Sequence, residues 1–223
     1  MASIPVNNSD TKKLAADGHS ESGRFSVAID AFSSGQVGSK IWLCEELEKI
    51  WSKKNASAPK GQTETVWIYG GWQGVLGFLI LNRDFSTRHV GSIRSFDLDP
   101  TCESVANTIC ENWVWREWMF RAFTADCNQL DPSKNGEFGK APTVVINTSV
   151  EHFDDRAWFE KIPAGTMVAL QASDFEHDGA VSLYDSEEKM AAAFPLSETL
   201  FSGRLEFDYG PWKFNRLMRI GRI

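Results

Sequence analysis

Chemistry in this chain is concentrated at a few polar or glycine positions that follow apolar runs. The clearest is Val66-Trp67-Ile68-Tyr69-Gly70-Gly71-Trp72-Gln73-Gly74, an apolar run entering a glycine-rich turn, followed by the apolar segment Val75–Leu81. Strand, glycine turn and helix in that order bring backbone N–H groups close to a nucleotide-like ligand. Asp97 and Asp99 follow the next predicted strand, and Asp97 lies 23 residues past Gly74. A carboxylate about twenty residues beyond such glycines can accept from both hydroxyls of a ribose. Asp126 ends the third predicted strand, where it can accept from an exocyclic adenine amine, and Asn147 ends the fourth. Any one of these acids could simply cap a helix. In this order they describe an adenosine site.

The elements that must hold these residues alternate. Strands are predicted at Thr65–Tyr69, Ser92–Phe96, Trp118–Phe123, Thr143–Ile146 and Thr166–Gln171. Helices are predicted over Val75–Leu81, Thr101–Asn112, Asp154–Lys161 and Ser186–Phe194, with a further helical turn over Pro195–Leu200. Arg204–Tyr209 and Phe214–Ile220 then read as an antiparallel hairpin. Alternation of this kind means an α/β fold with a mostly parallel sheet and ligands outside the carboxyl ends of its strands. Before the sheet, Ser33-Ser34-Gly35-Gln36-Val37-Gly38 reads as a turn, and Ser39 as the N-cap of a helix over Lys40–Ser52. The expected organisation is a flexible stretch over residues 1–24 and one domain over 25–223, with 25–62 covering a core formed by 63–223.

Bulk composition narrows the function classes. The chain has 223 residues and a net charge of −7, which argues against a nucleic-acid partner. No apolar stretch is long enough to span a bilayer, and the N-terminus lacks the order of a signal peptide, so a cytoplasmic protein without a membrane partner is expected. Cys44, Cys102, Cys110 and Cys127 show no C-x-x-C spacing and the four histidines are scattered, so free thiols and no metal site are expected. Nine tryptophans and fifteen phenylalanines are enough both for packing and for a cation-holding pocket. The expected partner is a small molecule; oligomeric state is left open.

The succession Tyr69–Gly74, Phe96-Asp97-Leu98-Asp99-Pro100, Thr124-Ala125-Asp126-Cys127 and Ile146–His152 resembles the class I S-adenosylmethionine-dependent methyltransferases. The resemblance runs from about Val66 to Ile223. It implies a Rossmann-like, seven-stranded, mostly parallel sheet with the last strand antiparallel, together with an N-terminal helical lid. It also implies S-adenosylmethionine held by Gly70, Gly71, Trp72, Gly74, Asp97, Asp99, Asp126 and Cys127. Gln36, Ser39 and Lys40 would lie over it, with the helix N-terminus beside Lys40 seating the methionine carboxylate. Two positions depart from the family pattern of acid-x-Gly-x-Gly-x-Gly: Ile68 stands where the acid belongs and Trp72 where the middle glycine belongs.

That departure, the small size, the aromatic load and the pair Asn147 and Tyr184 make the chain similar to enzymes that cyclise S-adenosylmethionine to azetidine-2-carboxylate and release methylthioadenosine. The resemblance then gives Asn147 and Tyr184 the handling of the attacking amine. Two alternatives stand beside it. One is a methyltransferase on a small acceptor, with Glu151-His152 as base. The other is a non-catalytic S-adenosylmethionine-binding module.

Overall fold

The computed structural model describes residues 26–55, 63–114, 119–176, 179–211 and 213–223. The expected flexible stretch over residues 1–24 lies outside them, as does the loop 56–62.

Seven strands form one sheet: β1 (Glu64–Tyr69), β2 (Val90–Asp97), β3 (Phe120–Thr124), β4 (Val144–Asn147), β5 (Met167–Ser173), β6 (Glu198–Asp208) and β7 (Lys213–Arg222). Their order is β3-β2-β1-β4-β5-β7-β6. Pairings within β3-β2-β1-β4-β5 are parallel, whereas β7 runs antiparallel to both β5 and β6. The chain leaves β1 toward β2 on one side and returns to β4 on the other. Strand order therefore reverses between β1 and β4, which opens a crevice at their carboxyl ends.

β1 is buried on both faces, as its apolar run requires. Val66 and Ile68 pack into one cluster with Leu43, Leu47, Leu76 and Ile80. Trp67 and Tyr69 point the other way, to Phe96, Trp158, Leu170 and Phe194. The first cluster lies under α1 (Ser34–Asn55) and α2 (Val75–Leu81). The remaining helices are α3 (Asp84–His89), α4 (Pro100–Ile109), α5 (Glu111–Val114), α6 (Ala157–Glu160) and α7 (Glu187–Ala193).

Three sequence expectations are corrected. The cover helix starts at Ser34 and not after Ser39, which is a buried residue inside α1 whose hydroxyl donates to the Gln36 carbonyl (3.1 Å). Gly35 and Gly38 had read as a turn, but they are sites of close packing. A Cβ at Gly35 would stand 3.1 Å from the Phe214 ring, and one at Gly38 would stand 3.0 Å from Phe207. Residues Glu198–Leu200, expected in a helical turn, instead extend β6, whose outer side is exposed at the sheet edge.

Candidate functional site

A cavity of about 1120 Å³ opens at the carboxyl ends of the strands. Its walls come from the turn after β1, the ends of β2, β4 and β5, the first turns of α1, and β7.

The glycine turn forms one wall. Gly74 has φ +78°, and a Cβ there would lie 2.8 Å from that of Ala106 on α4. At Gly71 a Cβ would overlap the Ser95 hydroxyl on β2. Only glycine lets the turn press this closely on its neighbours. Trp72 sits at the tip with φ +46°, a left-handed conformation that costs a bulky residue about 1–2 kcal/mol. Such strain is concentrated at functional sites.

Asp97 fixes this tip. The Trp72 N–H donates to Asp97 Oδ2 (2.7 Å) and the Asp99 N–H to Oδ1 (3.0 Å). A carboxylate has about four acceptor positions, so Asp97 retains capacity toward the cavity it lines. Asp126 is comparable: its Oδ1 accepts from the Asn128 N–H (2.9 Å) and the residue lines the cavity. Cys127 is buried in the wall, and burial raises its thiol to about 12, leaving it inert.

Not every expected site residue arrives. Asp99 caps α4 by accepting from the N–H and hydroxyl of Thr101 (2.9 and 2.8 Å) and does not line the cavity. Gly74 stands behind the turn, against α4. Asn147 is fully buried and its Oδ1 accepts from the Ser149 N–H (2.9 Å), which shapes the loop after β4 from beneath it. Tyr184 packs on the Phe194 ring (5.8 Å between centroids), and burial raises its phenol. Neither Asn147 nor Tyr184 lines the cavity. Ser39 faces β5, where its carbonyl accepts from Gln171 Nε2 (2.9 Å).

Gln36 and Lys40 do arrive. Lys40 Nζ donates to Gln36 Oε1 (2.6 Å), and both line the cavity. Because α1 begins earlier than expected, Lys40 stands well inside the helix and not at its N-terminus. Burial lowers its ammonium to about 8, with the positive charge of Arg216 adding to the effect and Glu151 and Asp30 opposing it.

Arg216 is the residue that sequence reasoning missed. It enters from β7 and its Nη1 donates to Glu151 Oε1 (2.8 Å) in a buried ion pair at the cavity wall. The available signal was Arg216 and Arg219, two of the three arginines of β7, set among the apolar Leu217, Met218 and Ile220. Glu151 lies in the 3-10 turn Val150–His152 after β4, and its carbonyl accepts from the N–H groups of Val181 and Ser182. His152 Nδ1 lies 2.9 Å from the Gly179 carbonyl oxygen.

No family model matches the sequence, and neither does any curated protein. Solved structures do resemble it. The N-methyltransferase NodS from Bradyrhizobium japonicum WM9 is 9% identical with a TM-score of 0.58, covering 86% of this chain and 98% of that one. The magnesium protoporphyrin IX methyltransferase ChlM from Synechocystis PCC 6803, solved with bound S-adenosylmethionine, is 12% identical with a TM-score of 0.54, covering 98% and 100%. The geranyl diphosphate C-methyltransferase from Streptomyces coelicolor A3(2) was solved with Mg2+, geranyl-S-thiolodiphosphate and S-adenosylhomocysteine. It is 11% identical with a TM-score of 0.55, covering 84% and 76%. These likenesses and the strand order establish the architecture: the chain has the Rossmann-like fold of the class I methyltransferases.

Proposed function

We propose that this chain is an S-adenosylmethionine-using enzyme and that its reaction is intramolecular: the amine of S-adenosylmethionine attacks its own γ-carbon, giving azetidine-2-carboxylate and methylthioadenosine. The residues present fit the ligand. A turn that glycine alone can form lies beside two carboxylates, Asp97 and Asp126, in one cavity. Asp97 is suited to the ribose hydroxyls and Asp126 to the adenine amine. The aromatic faces of Trp72, Phe153 and Phe214 line the same cavity and suit a sulfonium, at about 0.5–2 kcal/mol each. When bound, the ligand supplies carbons made electrophilic by the adjacent positive sulfur.

The observation that carries the intramolecular reading is the exchange of acids around the cavity. Ile68 lines it where the family pattern has a carboxylate for the amine. Glu151 lines it from β4's loop with one buried oxygen, Oε2, that accepts from no described residue. Glu151 is therefore the group able to draw a proton from the amine and release its lone pair. Folding the ligand back on itself would be the work of the walls, a matter of proximity and orientation. Asn147 and Tyr184 stand behind the wall and take no direct part in this scheme, Asn147 shaping the loop that carries Glu151.

One observation favours a second reading, methyl transfer to a small acceptor. The cavity of about 1120 Å³ is larger than one small ligand requires, since such pockets run from about 300 to 1,000 Å³. Incubation of the pure protein with S-adenosylmethionine alone separates the two. Methylthioadenosine and an equimolar cyclic amino acid are expected. An untouched ligand that yields S-adenosylhomocysteine only after an acceptor is added would establish methyl transfer. Binding without turnover under any condition would leave a binding module.

A further inference from the structure

Lys40, Glu151 and Arg216 come from α1, the loop after β4 and β7, and all three are buried at the same cavity. Their bonds do not exhaust them. Glu151 gives Oε1 to Arg216 and leaves Oε2 without a partner; Arg216 uses Nη1 and leaves Nε without one among the described residues. Lys40 has three N–H donors, and its two bonds both go to Gln36. A buried polar atom without a partner costs about 1–3 kcal/mol, and here unpartnered donors and an unpartnered acceptor belong to residues that line one cavity.

That combination selects its ligand. A plain anion would meet the Arg216 and Lys40 donors but also the open Glu151 oxygen. A plain cation would meet Glu151 but also two positive charges. A zwitterion with carboxylate and ammonium on one carbon satisfies all three. We infer that Lys40, Arg216 and Glu151 form a clamp for an α-amino-acid head group, the two cations taking its carboxylate and Glu151 its amino group. Two molecules supply such a head: the methionine half of S-adenosylmethionine, or a free amino acid bound beside it. The first rests on the function proposed above. It also accounts for Ile68, because an amine held by Glu151 no longer requires an acid on β1.

The test is a calorimetric titration of the full chain with unreactive ligands. S-adenosylhomocysteine carries the whole head, and methylthioadenosine carries neither charge. The wild-type protein is expected to bind S-adenosylhomocysteine about 100-fold more tightly than methylthioadenosine, as charge-assisted bonds to a buried carboxylate and amine imply. Decarboxylated S-adenosylmethionine, which keeps the amine alone, should also bind weakly. In Arg216→Gln and Glu151→Gln the preference for S-adenosylhomocysteine should shrink about tenfold. Methylthioadenosine affinity should stay unchanged, which certifies the fold of both variants.

Equal wild-type affinity for S-adenosylhomocysteine and methylthioadenosine removes the cofactor as the source. The S-adenosylhomocysteine complex is then titrated with each free proteinogenic amino acid, and saturable binding lost in Arg216→Gln assigns the clamp to a separate amino acid. No binding in that arm overturns the clamp while leaving the adenosine site standing. No binding of any adenosyl ligand overturns the S-adenosylmethionine reading, and the clamp with it.

Discussion

The two ends of the cavity are built by different means. At the glycine-turn end, each acid is held by nearby backbone: Asp126 by Asn128, Asp97 by Asp99 and by the tip of the neighbouring turn. The geometry there is a property of short sequence, repeated at one strand end after another. At the charged end, Glu151 and Arg216 are 65 residues apart and meet only because β7 inserts beside β5. The first end is preorganised by local turns and largely satisfied. The second is assembled by tertiary structure and keeps unfilled donors and acceptors.

The largest expected break in this contrast is Glu151→Ala. It strands the buried Arg216 guanidinium, and loss of one partner of a buried pair costs about 3–5 kcal/mol. The corresponding change at the other end, Asp126→Ala, removes a cap worth about 0.5–2 kcal/mol. Urea unfolding of both variants tests the ordering, and equal losses would contradict it.

Gly71→Ala comes next. The new methyl would overlap the Ser95 hydroxyl, and overpacking of this kind costs about 1–3 kcal/mol. Ser95→Ala in the same chain should recover part of the loss, since the nearest remaining atom, the Ser95 Cβ, is 3.2 Å away. Thermal unfolding of the single and double variants measures the recovery.

A pH titration sharpens the comparison further. Lys40 has a folded value of about 8 against 10.5 in the unfolded chain. Burial of its ammonium therefore costs stability below pH 8, and the cost is relieved as pH rises from about 8 toward 10.5. Ligand affinity should move the other way. S-adenosylhomocysteine should weaken by about tenfold as Lys40 loses its proton, the size of one charge-assisted bond. Methylthioadenosine should not respond, and Lys40→Met should reduce both pH dependences.

Tyr184→Phe has the smallest expected effect. Its ring packs on Phe194 and does not line the cavity, so S-adenosylhomocysteine affinity should stay within about twofold, the scale of a surface substitution. A large loss of binding would bring Tyr184 to the cavity wall.

The same contrast governs how much was legible in the sequence. The β-α alternation, the antiparallel hairpin, the glycine turn and the acids at 97 and 126 are local features, and spacing along the chain exposes them. The start of α1 was misread because Gly35 and Gly38 look like turn residues until Phe214 and Phe207 are seen against them. Residues Glu198–Leu200 were misread because the pairing of Glu198 with Arg222 and of Thr199 with Gly221 is not a local property, and Leu200 stands at the register shift that follows. Asp99 has the spacing of a site residue but spends its carboxylate on Thr101. Arg216 was invisible as a site residue because nothing near it in sequence announces Glu151. Ile68 was legible as a missing acid, whereas Glu151, the acid proposed to replace it, lies in another strand's loop.

The remote pairing of Glu151 with Arg216 also orders events in time. While the chain is being made, β1 to β4 and their turns can form before β7 exists, and Glu151 stays in water. Its pairing with Arg216 must wait for β7 and closes a loop of 65 residues, which carries an entropic cost. Interactions made late govern how fast a protein comes apart more than how fast it forms. The Arg216–Glu151 pair is therefore expected to slow unfolding more than it speeds folding, which the unfolding rate of Arg216→Gln measures.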